Sequence, residues 1–119
     1  MASTEVPHRR EIWLVAFGAG GKGEPGKNRP AIILCDDHLI AGTLDELIVT
    51  VPLSSSLAPS SLRPLVPVSA GIDDESAAIP RGVRGVARSR LLRRIGEVDE
   101  ETLAAVERAL KLVLSFDPR

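Results

Sequence analysis

The stretch EIWLVAFGAGGKGEPGKNRPAIILC, residues 11–35, decides the fold of this 119-residue chain. Its first seven residues alternate as a β-strand does, and its last five form an apolar run typical of a strand buried on both faces. The loop between them has five glycines, whereas a simple hairpin turns with two residues such as Asn-Gly. It also carries Lys22, Glu24, Lys27 and Arg29. These charges and the exposed N–H groups predict a site for an anionic ligand; a flexible hairpin with a solvated charge cluster is the alternative.

Length and composition predict a single domain in a reducing compartment. A chain of 119 residues fits one domain of common size. Cys35 is the only cysteine, so we expect a buried, reduced thiol and a cytoplasmic location. The N-terminus has no apolar segment and no run of about 18 apolar residues follows, so neither secretion nor membrane insertion is indicated. We expect residues 1–9 to form a flexible tail and residues 10–116 to form the domain.

Charge is segregated along a chain whose formal net charge is −1. Six arginines and no acid lie between residues 81 and 94, with acidic blocks at 73–75 and 97–101 on either side. Steering of the whole molecule toward nucleic acid is therefore excluded, and only a local basic surface can attract a polyanion.

The remaining pattern predicts a mainly β fold with a C-terminal helix. Expected elements are strands at 11–17, 31–35 and 46–53, a loop at 36–43, a short edge strand within 63–69, and a helix at 100–115 capped by Asp99. Pro52 indicates an edge or a bulge at the end of its strand. Residues 79–95 fit two short strands, or one strand and a turn of helix. Short strands with tight Gly and Pro punctuation are typical of a small antiparallel barrel, here with the helix packed on it.

The order of these motifs resembles the MazF/PemK (Kid) family of toxin ribonucleases from bacterial toxin–antitoxin modules. EIWLVAF at 11–17 resembles the opening strand of that family, GEPGKNRPAIIL at 23–34 its G-x-E and Arg-Pro motif, and VPLSS at 51–55 its Pro-Leu-[Thr/Ser] motif. GEV at 96–98 and the final helix agree as well, so the resemblance covers about residues 10–115. Two departures are GVRGVARSR at 82–90, where the family has a Gln-[Ile/Val]-Arg-Thr strand, and Ser54, where threonine is commoner.

The resemblance implies a fold, an activity and partners. The fold is a small SH3-like antiparallel barrel of the MazF/PemK/CcdB type. The activity is metal-independent, sequence-selective cleavage of single-stranded RNA by a toxin, leaving 2′,3′-cyclic phosphate and 5′-hydroxyl ends. A homodimer without cofactors, neutralised by a MazE-like antitoxin, is the implied assembly.

The same resemblance implies three catalytic residues, Arg29, Ser54 and Glu24. A planar guanidinium at Arg29 matches phosphate oxygens, and the hydroxyl of Ser54 can donate to them. Glu24 is chemically the better general base. Each has a structural alternative: a salt bridge from Arg29 to Asp36 or Asp37, a strand-edge cap at Ser54, and loop anchoring or a lysine ion pair at Glu24.

A wider set of polar residues is expected to bind the substrate. Its members are Lys22, Lys27, Asn28, Ser55, Ser56, Arg84 and Arg88. The arginine-rich segment from 81 to 94 would follow the RNA backbone or hold an acidic antitoxin segment, unless it is a solvated face. Two histidines and one thiol without ligand spacing predict no metal site.

Two other functions remain open from the sequence. The same barrel occurs in CcdB-like toxins that poison DNA gyrase by protein contact, which would leave Arg29 and Glu24 dispensable and the terminal helix essential. A degenerate RNA-binding or regulatory module is the third possibility.

Overall fold

The computed structural model describes residues 5–18, 27–42, 47–58 and 60–116. Within these ranges the chain forms an antiparallel sheet, two α-helices and three single turns of 3-10 helix. The strands are β1 (Glu11–Ala16), β2 (Asn28–Ile33), β3 (Ile48–Ser54), β4 (Leu65–Val66), β5 (Ser76–Ala78), β6 (Arg84–Val86) and β7 (Leu91–Glu97). The helices are α1 (Asp37–Gly42) and α2 (Glu100–Val113), and the 3-10 turns are Val68–Ala70, Pro80–Gly82 and Arg88–Arg90.

The strands follow the order β4-β5-β3-β2-β1-β7, and β6 also pairs with β3. β3 changes partner along its length, since residues 48–50 pair with β6 and residues 53–54 pair with β5. Pro52, which has no N–H to donate, lies at this change of partner and is buried. Its carbonyl accepts from the Ile79 N–H at 2.9 Å. The prediction of an edge or a bulge at Pro52 is therefore wrong. Pro52 lacks an N–H, but it lies between the residues of β3 that pair with β6 and those that pair with β5, where neither strand needs that hydrogen bond.

Alternating side chains give the sheet two apolar faces. Ile12, Ile32 and Val51 belong to one buried cluster, which α2 covers with Val106. Trp13 and its neighbours belong to a second cluster on the other face, together with residues of α1 and β6. A curled half-barrel closed by a C-terminal helix results, and the predicted fold class is confirmed.

The predicted loop at 36–43 is wrong, because residues 37–42 form α1. The carboxylate of Asp36 accepts from the His38 N–H at 2.8 Å, and its carbonyl accepts from the N–H groups of Leu39 and Ile40. The first of these bonds lowers the pKa of Asp36, and the bond from the His38 side chain adds to the effect. Ile40 is buried in the second cluster, which holds this short helix against the sheet.

Other predicted boundaries differ by a few residues. β2 begins at residue 28 rather than 31, because pairing with β1 extends it beyond the apolar run. The terminal helix is confirmed, with Asp99 accepting from the Thr102 N–H at 2.7 Å. That helix ends at Val113, two residues early, and Ser115 has a φ of 59° that no helix continues through.

Residues 7–9, which the sequence analysis assigns to the tail, contact the domain. Pro7 is buried, and the guanidinium of Arg9 donates to the Leu34 carbonyl and pairs with Glu107 of α2. These contacts connect the N-terminal segment to both the sheet and the helix.

Glu11 anchors the first strand through a partly buried carboxylate. Its side chain is 12% exposed and accepts from the His8 N–H at 2.8 Å, the Trp13 indole at 3.0 Å and the Arg94 Nε at 2.7 Å. Burial alone raises the pKa of Glu11. The hydrogen bonds from Trp13, Arg94 and His8, with the charge of Arg94, outweigh burial and lower that pKa below its ordinary value.

We expect Glu11→Gln to lower the free energy of unfolding by about 1–3 kcal/mol at neutral pH, because it removes charge-assisted hydrogen bonds. Since the pKa of Glu11 is lower in the folded state, this stabilisation is complete above the unfolded pKa, about 4.3. It is lost as the pH falls through the folded pKa. Urea unfolding at pH 7 and at successive steps toward pH 3 measures both effects.

Glu75→Gln, at an exposed loop position, is the control for loss of one carboxylate. Equal free energies of unfolding for wild type and Glu11→Gln at pH 7 would contradict the assignment. So would a difference in that free energy that does not shrink on acidification.

Candidate functional site

Two backbone hydrogen bonds close the base of the glycine-rich loop between β1 and β2. The Phe17 N–H donates to the Lys27 carbonyl at 2.9 Å, and the Lys27 N–H donates to the Gly18 carbonyl. Gly18 and Lys27 both have positive φ, 79° and 60°. Lys22 and Glu24 lie outside the described residues.

Arginines of the 81–94 segment support the base of this loop. The guanidinium of Arg84 lies 5.2 Å from the centroid of the Phe17 ring, a cation–π distance. Arg90 Nη1 donates to the Ala16 carbonyl at 3.0 Å, and Arg88 Nη1 donates to the Ile40 carbonyl at 3.4 Å. Arg84 and Arg88, predicted to bind substrate, thus contact the Phe17 ring and the Ile40 carbonyl, and their substrate role stays a prediction.

An open cleft of about 430 Å³ lies beside the loop base. Its floor comes from alternate positions on neighbouring strands, Leu14 of β1, Pro30 of β2 and Leu53 of β3. Leu14 pairs with Pro30 on one side, so these apolar side chains share a face of the sheet.

Residues of both charges line the cleft. Lys27, Arg29 and Arg93 form what we call its basic wall, and Asp73 and Asp74 form its acidic wall. An anionic ligand is attracted to the first set and repelled by the second.

Arg29 borders the cleft, whereas Ser54 is not among its lining residues. The pairing of β2 with β3 ends at Ala31 and Pro52, and Ser54 pairs with Ala77 of β5. The β2–β3 register, if extended by two residues, would set Arg29 level with Ser54. By strand alternation both positions belong to the face opposite the cleft floor, and Arg29 reaches the cleft from the start of β2. Ser54 Oγ accepts from the Ser56 N–H at 3.1 Å, which leaves the proton of the hydroxyl for another acceptor.

The acids offered as structural partners of Arg29 are engaged elsewhere. Asp36 holds His38, with a second contact of 3.2 Å to the imidazole, and Asp37 accepts from the Arg9 N–H at 2.7 Å. The side chain of His8 also lies 3.5 Å from Asp37.

The predicted substrate-binding set divides in two. Lys27, Asn28 and Ser55 line the cleft together with Arg29. Ser56 does not, and its carbonyl accepts from Arg63 Nη2 at 3.0 Å. Arg93, Asp73 and Asp74 also line the cleft, and no sequence motif predicts them, since only strand phase and the path of the loop before β5 bring them there.

Close backbone contact fixes the acidic wall. A Cβ on Gly96 of β7 would lie 1.9 Å from the Ala70 carbonyl oxygen, and one on Gly71 would lie 2.7 Å from the Ile95 carbonyl oxygen. Gly71 also has a φ of 107°. The chain before Ile72 therefore rests directly on the backbone of β7, and this places Asp73 and Asp74 at the cleft.

Within the described ranges, no three His, Cys, Asp or Glu side chains lie close enough together to hold a metal ion. Among the helices of that part of the chain, none has the length and hydropathy needed to cross a membrane.

A curled antiparallel sheet with a terminal helix, and a basic cleft at the base of a glycine-rich loop, define a class of small toxins. The model of the PemK-like, MazF-like toxins of type II toxin-antitoxin systems matches residues 8–114. The chain belongs to this family, and the resemblance seen in the sequence is confirmed.

Relatives and solved structures agree with this membership. Endoribonuclease MazF9 of Mycobacterium tuberculosis is 33% identical over 114 residues, which cover 91% of this chain and 96% of that protein. MazF from Deinococcus radiodurans has a TM-score of 0.81 at 22% identity, covering 93% of this chain and 98% of its own. A mycobacterial endoribonuclease in complex with its cognate antitoxin has a TM-score of 0.78 at 18% identity, covering 95% and 99%. At such identities the two structures show the fold alone.

We expect Gly96→Ala to lower the free energy of unfolding by about 1–3 kcal/mol, because the added methyl group overlaps a backbone carbonyl that cannot rotate away. Urea unfolding measures the loss. Ser69→Ala, at an exposed position next to Ala70, is the control. Equal denaturation midpoints for wild type and Gly96→Ala would contradict the contact.

Proposed function

We propose that this protein is an endoribonuclease toxin that cleaves single-stranded RNA without a metal ion, leaving 2′,3′-cyclic phosphate and 5′-hydroxyl ends. The observation that carries the proposal is Arg29, which borders a cleft together with the cations of Lys27 and Arg93. Membership of the toxin family and 33% identity to a named endoribonuclease support the same activity.

The reaction transfers a phosphodiester bond within the substrate. The ribose 2′-oxygen attacks the adjacent phosphorus, the P–O bond to the 5′-oxygen of the next nucleotide breaks, and a proton passes from the first oxygen to the second. The protein must hold negative charge on the phosphoryl oxygens while a base and an acid move the proton.

Arg29 is suited to the phosphoryl oxygens, because the paired N–H groups of its planar guanidinium match them. Ser54 donates its hydroxyl proton to the same group, while the Ser56 N–H keeps that hydroxyl oriented. Glu24 acts as the general base; this role rests on the resemblance of its motif. In this scheme Lys27 and Asn28 bind the part of the RNA strand that flanks the reacting phosphate.

Partners and location follow from the family. We propose a homodimer that is inhibited by a cognate MazE-like antitoxin, as a mycobacterial relative of the same fold forms a complex with its own antitoxin. An acidic antitoxin segment would compete with RNA for the basic wall of the cleft. The toxin would act in the cytoplasm, where its RNA substrate is found.

We expect the wild-type protein to cleave a long single-stranded RNA in EDTA, with 5′-hydroxyl ends at the mapped sites. Removing one preorganised donor from a phosphoryl group lowers kcat by roughly 10²–10³-fold, so Arg29→Ala should show a loss of that size. For Glu24→Gln, loss of a general base predicts a decrease of about 10²–10⁴-fold. Ser54→Ala should reduce kcat by a smaller factor.

Arg108→Ala is the matched control, because Arg108 is exposed on α2 and lines a different cavity. Cleavage by Arg29→Ala at the wild-type rate would contradict the assignment of that residue. Intact RNA with arrested DNA gyrase would support a non-catalytic, CcdB-like inhibitor, and loss of cleavage in EDTA that Mg²⁺ restores would refute metal independence.

A further inference from the structure

We propose that Arg93 binds a second phosphate of the same RNA strand, next to the phosphate held at Arg29. The proposal rests on the function proposed above and extends it from one phosphate contact to a track of two. Nothing in the motifs of the sequence distinguishes Arg93 from the five other arginines of its segment.

The structure separates Arg93 from its neighbours by what each guanidinium contacts. Arg84 lies over Phe17, Arg88 and Arg90 donate to backbone carbonyls, and Arg94 pairs with Glu11. Within the described residues, no hydrogen bond or ion pair engages the side chain of Arg93. Four of the six arginines thus have internal contacts, while Arg93 presents its charge to the cleft.

Strand alternation explains why adjacent arginines differ. Arg94 pairs with Trp13 of β1 and turns toward the carboxylate of Glu11. Arg93 pairs with Leu14, a residue of the cleft floor. Because successive side chains point to opposite faces, one arginine stabilises the sheet and the next lines the cleft.

The spacing of the strands separates Arg93 from Arg29. Arg93 is opposite Leu14, and Leu14 is opposite Pro30, the residue after Arg29. Neighbouring strands are about 4.8 Å apart, so the backbone at Arg93 lies two strands, roughly 10 Å, from β2. The two side chains therefore begin at separate points of one cleft, which suits two successive phosphates better than one.

The acidic residues of the cleft favour phosphate at the arginines. Asp73 and Asp74 border the same cleft and are exposed. Their charge repels phosphate, so the phosphates of a bound strand are favoured beside Arg29 and Arg93.

The first test measures how RNA binding depends on salt. Fluorescence anisotropy with a labelled 2′-O-methyl RNA that spans a mapped cleavage site reports binding without cleavage, because the nucleophile is blocked. Each phosphate contact on a single strand contributes about 0.7 to the slope of log K against log salt. We expect Arg93→Ala to weaken binding about 5–10-fold at low salt and to reduce the slope by roughly that amount.

Arg81→Ala is the matched control, since Arg81 belongs to the same segment, is exposed and lines a cavity near the end of α2 instead. It removes the same net charge at a position away from the cleft. The slope of log K against log salt for Arg81→Ala should therefore equal that of wild type. Arg93→Lys keeps the positive charge, so its slope of log K against log salt should be close to that of wild type.

The second test separates substrate positioning from chemistry. A contact to a neighbouring phosphate is made equally in the ground state and the transition state, so Arg93→Ala should raise KM about 5–10-fold with little change in kcat. Arg29→Ala is expected to lower kcat. A fall in kcat for Arg93→Ala with unchanged KM would overturn the proposal, because it would place Arg93 on the reacting phosphate.

The outcomes distinguish this inference from the function on which it rests. If wild type cleaves and binds RNA while Arg93→Ala and Arg81→Ala give the same slope, the second phosphate contact is refuted and the nuclease stands. If wild type neither binds nor cleaves RNA, both proposals fail. A smaller slope and a higher KM for Arg93→Ala alone would support the track of two phosphates.

Discussion

The antiparallel register across β7, β1, β2 and β3 is the constraint on which the site depends. It sets Leu14 against Pro30 and Arg93. Because successive side chains point to opposite faces of a strand, a slip of one residue would exchange the cleft floor with the buried cluster on the other face. Apolar residues on both faces of the sheet make such a slip costly, so the hydrophobic core and the position of the site are fixed by the same pairing.

The arginine-rich segment shows how one residue type is used for different purposes. Arg84 and Arg90 hold the base of the glycine-rich loop, through the Phe17 ring and the Ala16 carbonyl. Arg94 completes the hydrogen bonding of the partly buried Glu11 carboxylate, and the pKa of Arg94 is raised mainly by this hydrogen bond. Only the strand phase that directs Arg93 to the cleft gives it a surface role. A count of positive charges therefore overestimates the polyanion-binding surface of this protein.

Segments distant in sequence line the cleft with opposite charges. The cations come from the chain at the start of β2 and from β7, whereas the acids belong to the chain before β5, which is fixed where Gly71 and Gly96 allow backbone to rest on backbone. Phosphate is attracted to the first set and repelled by the second, and this contrast supports both the proposed cleavage and the proposed second phosphate contact.

The sequence by itself determined the strands at 11–17 and 46–53 to within about two residues, the helix capped by Asp99, and the Arg29 and Ser54 motifs, because periodicity, capping and motif order are local properties. It failed at α1, where burial of Ile40 decides between helix and loop, and at Pro52, where the partner strand changes. The tertiary structure alone decided which arginines reach the cleft and which acids face them. Those outcomes depend on pairing between strands far apart in the chain, which no local pattern encodes.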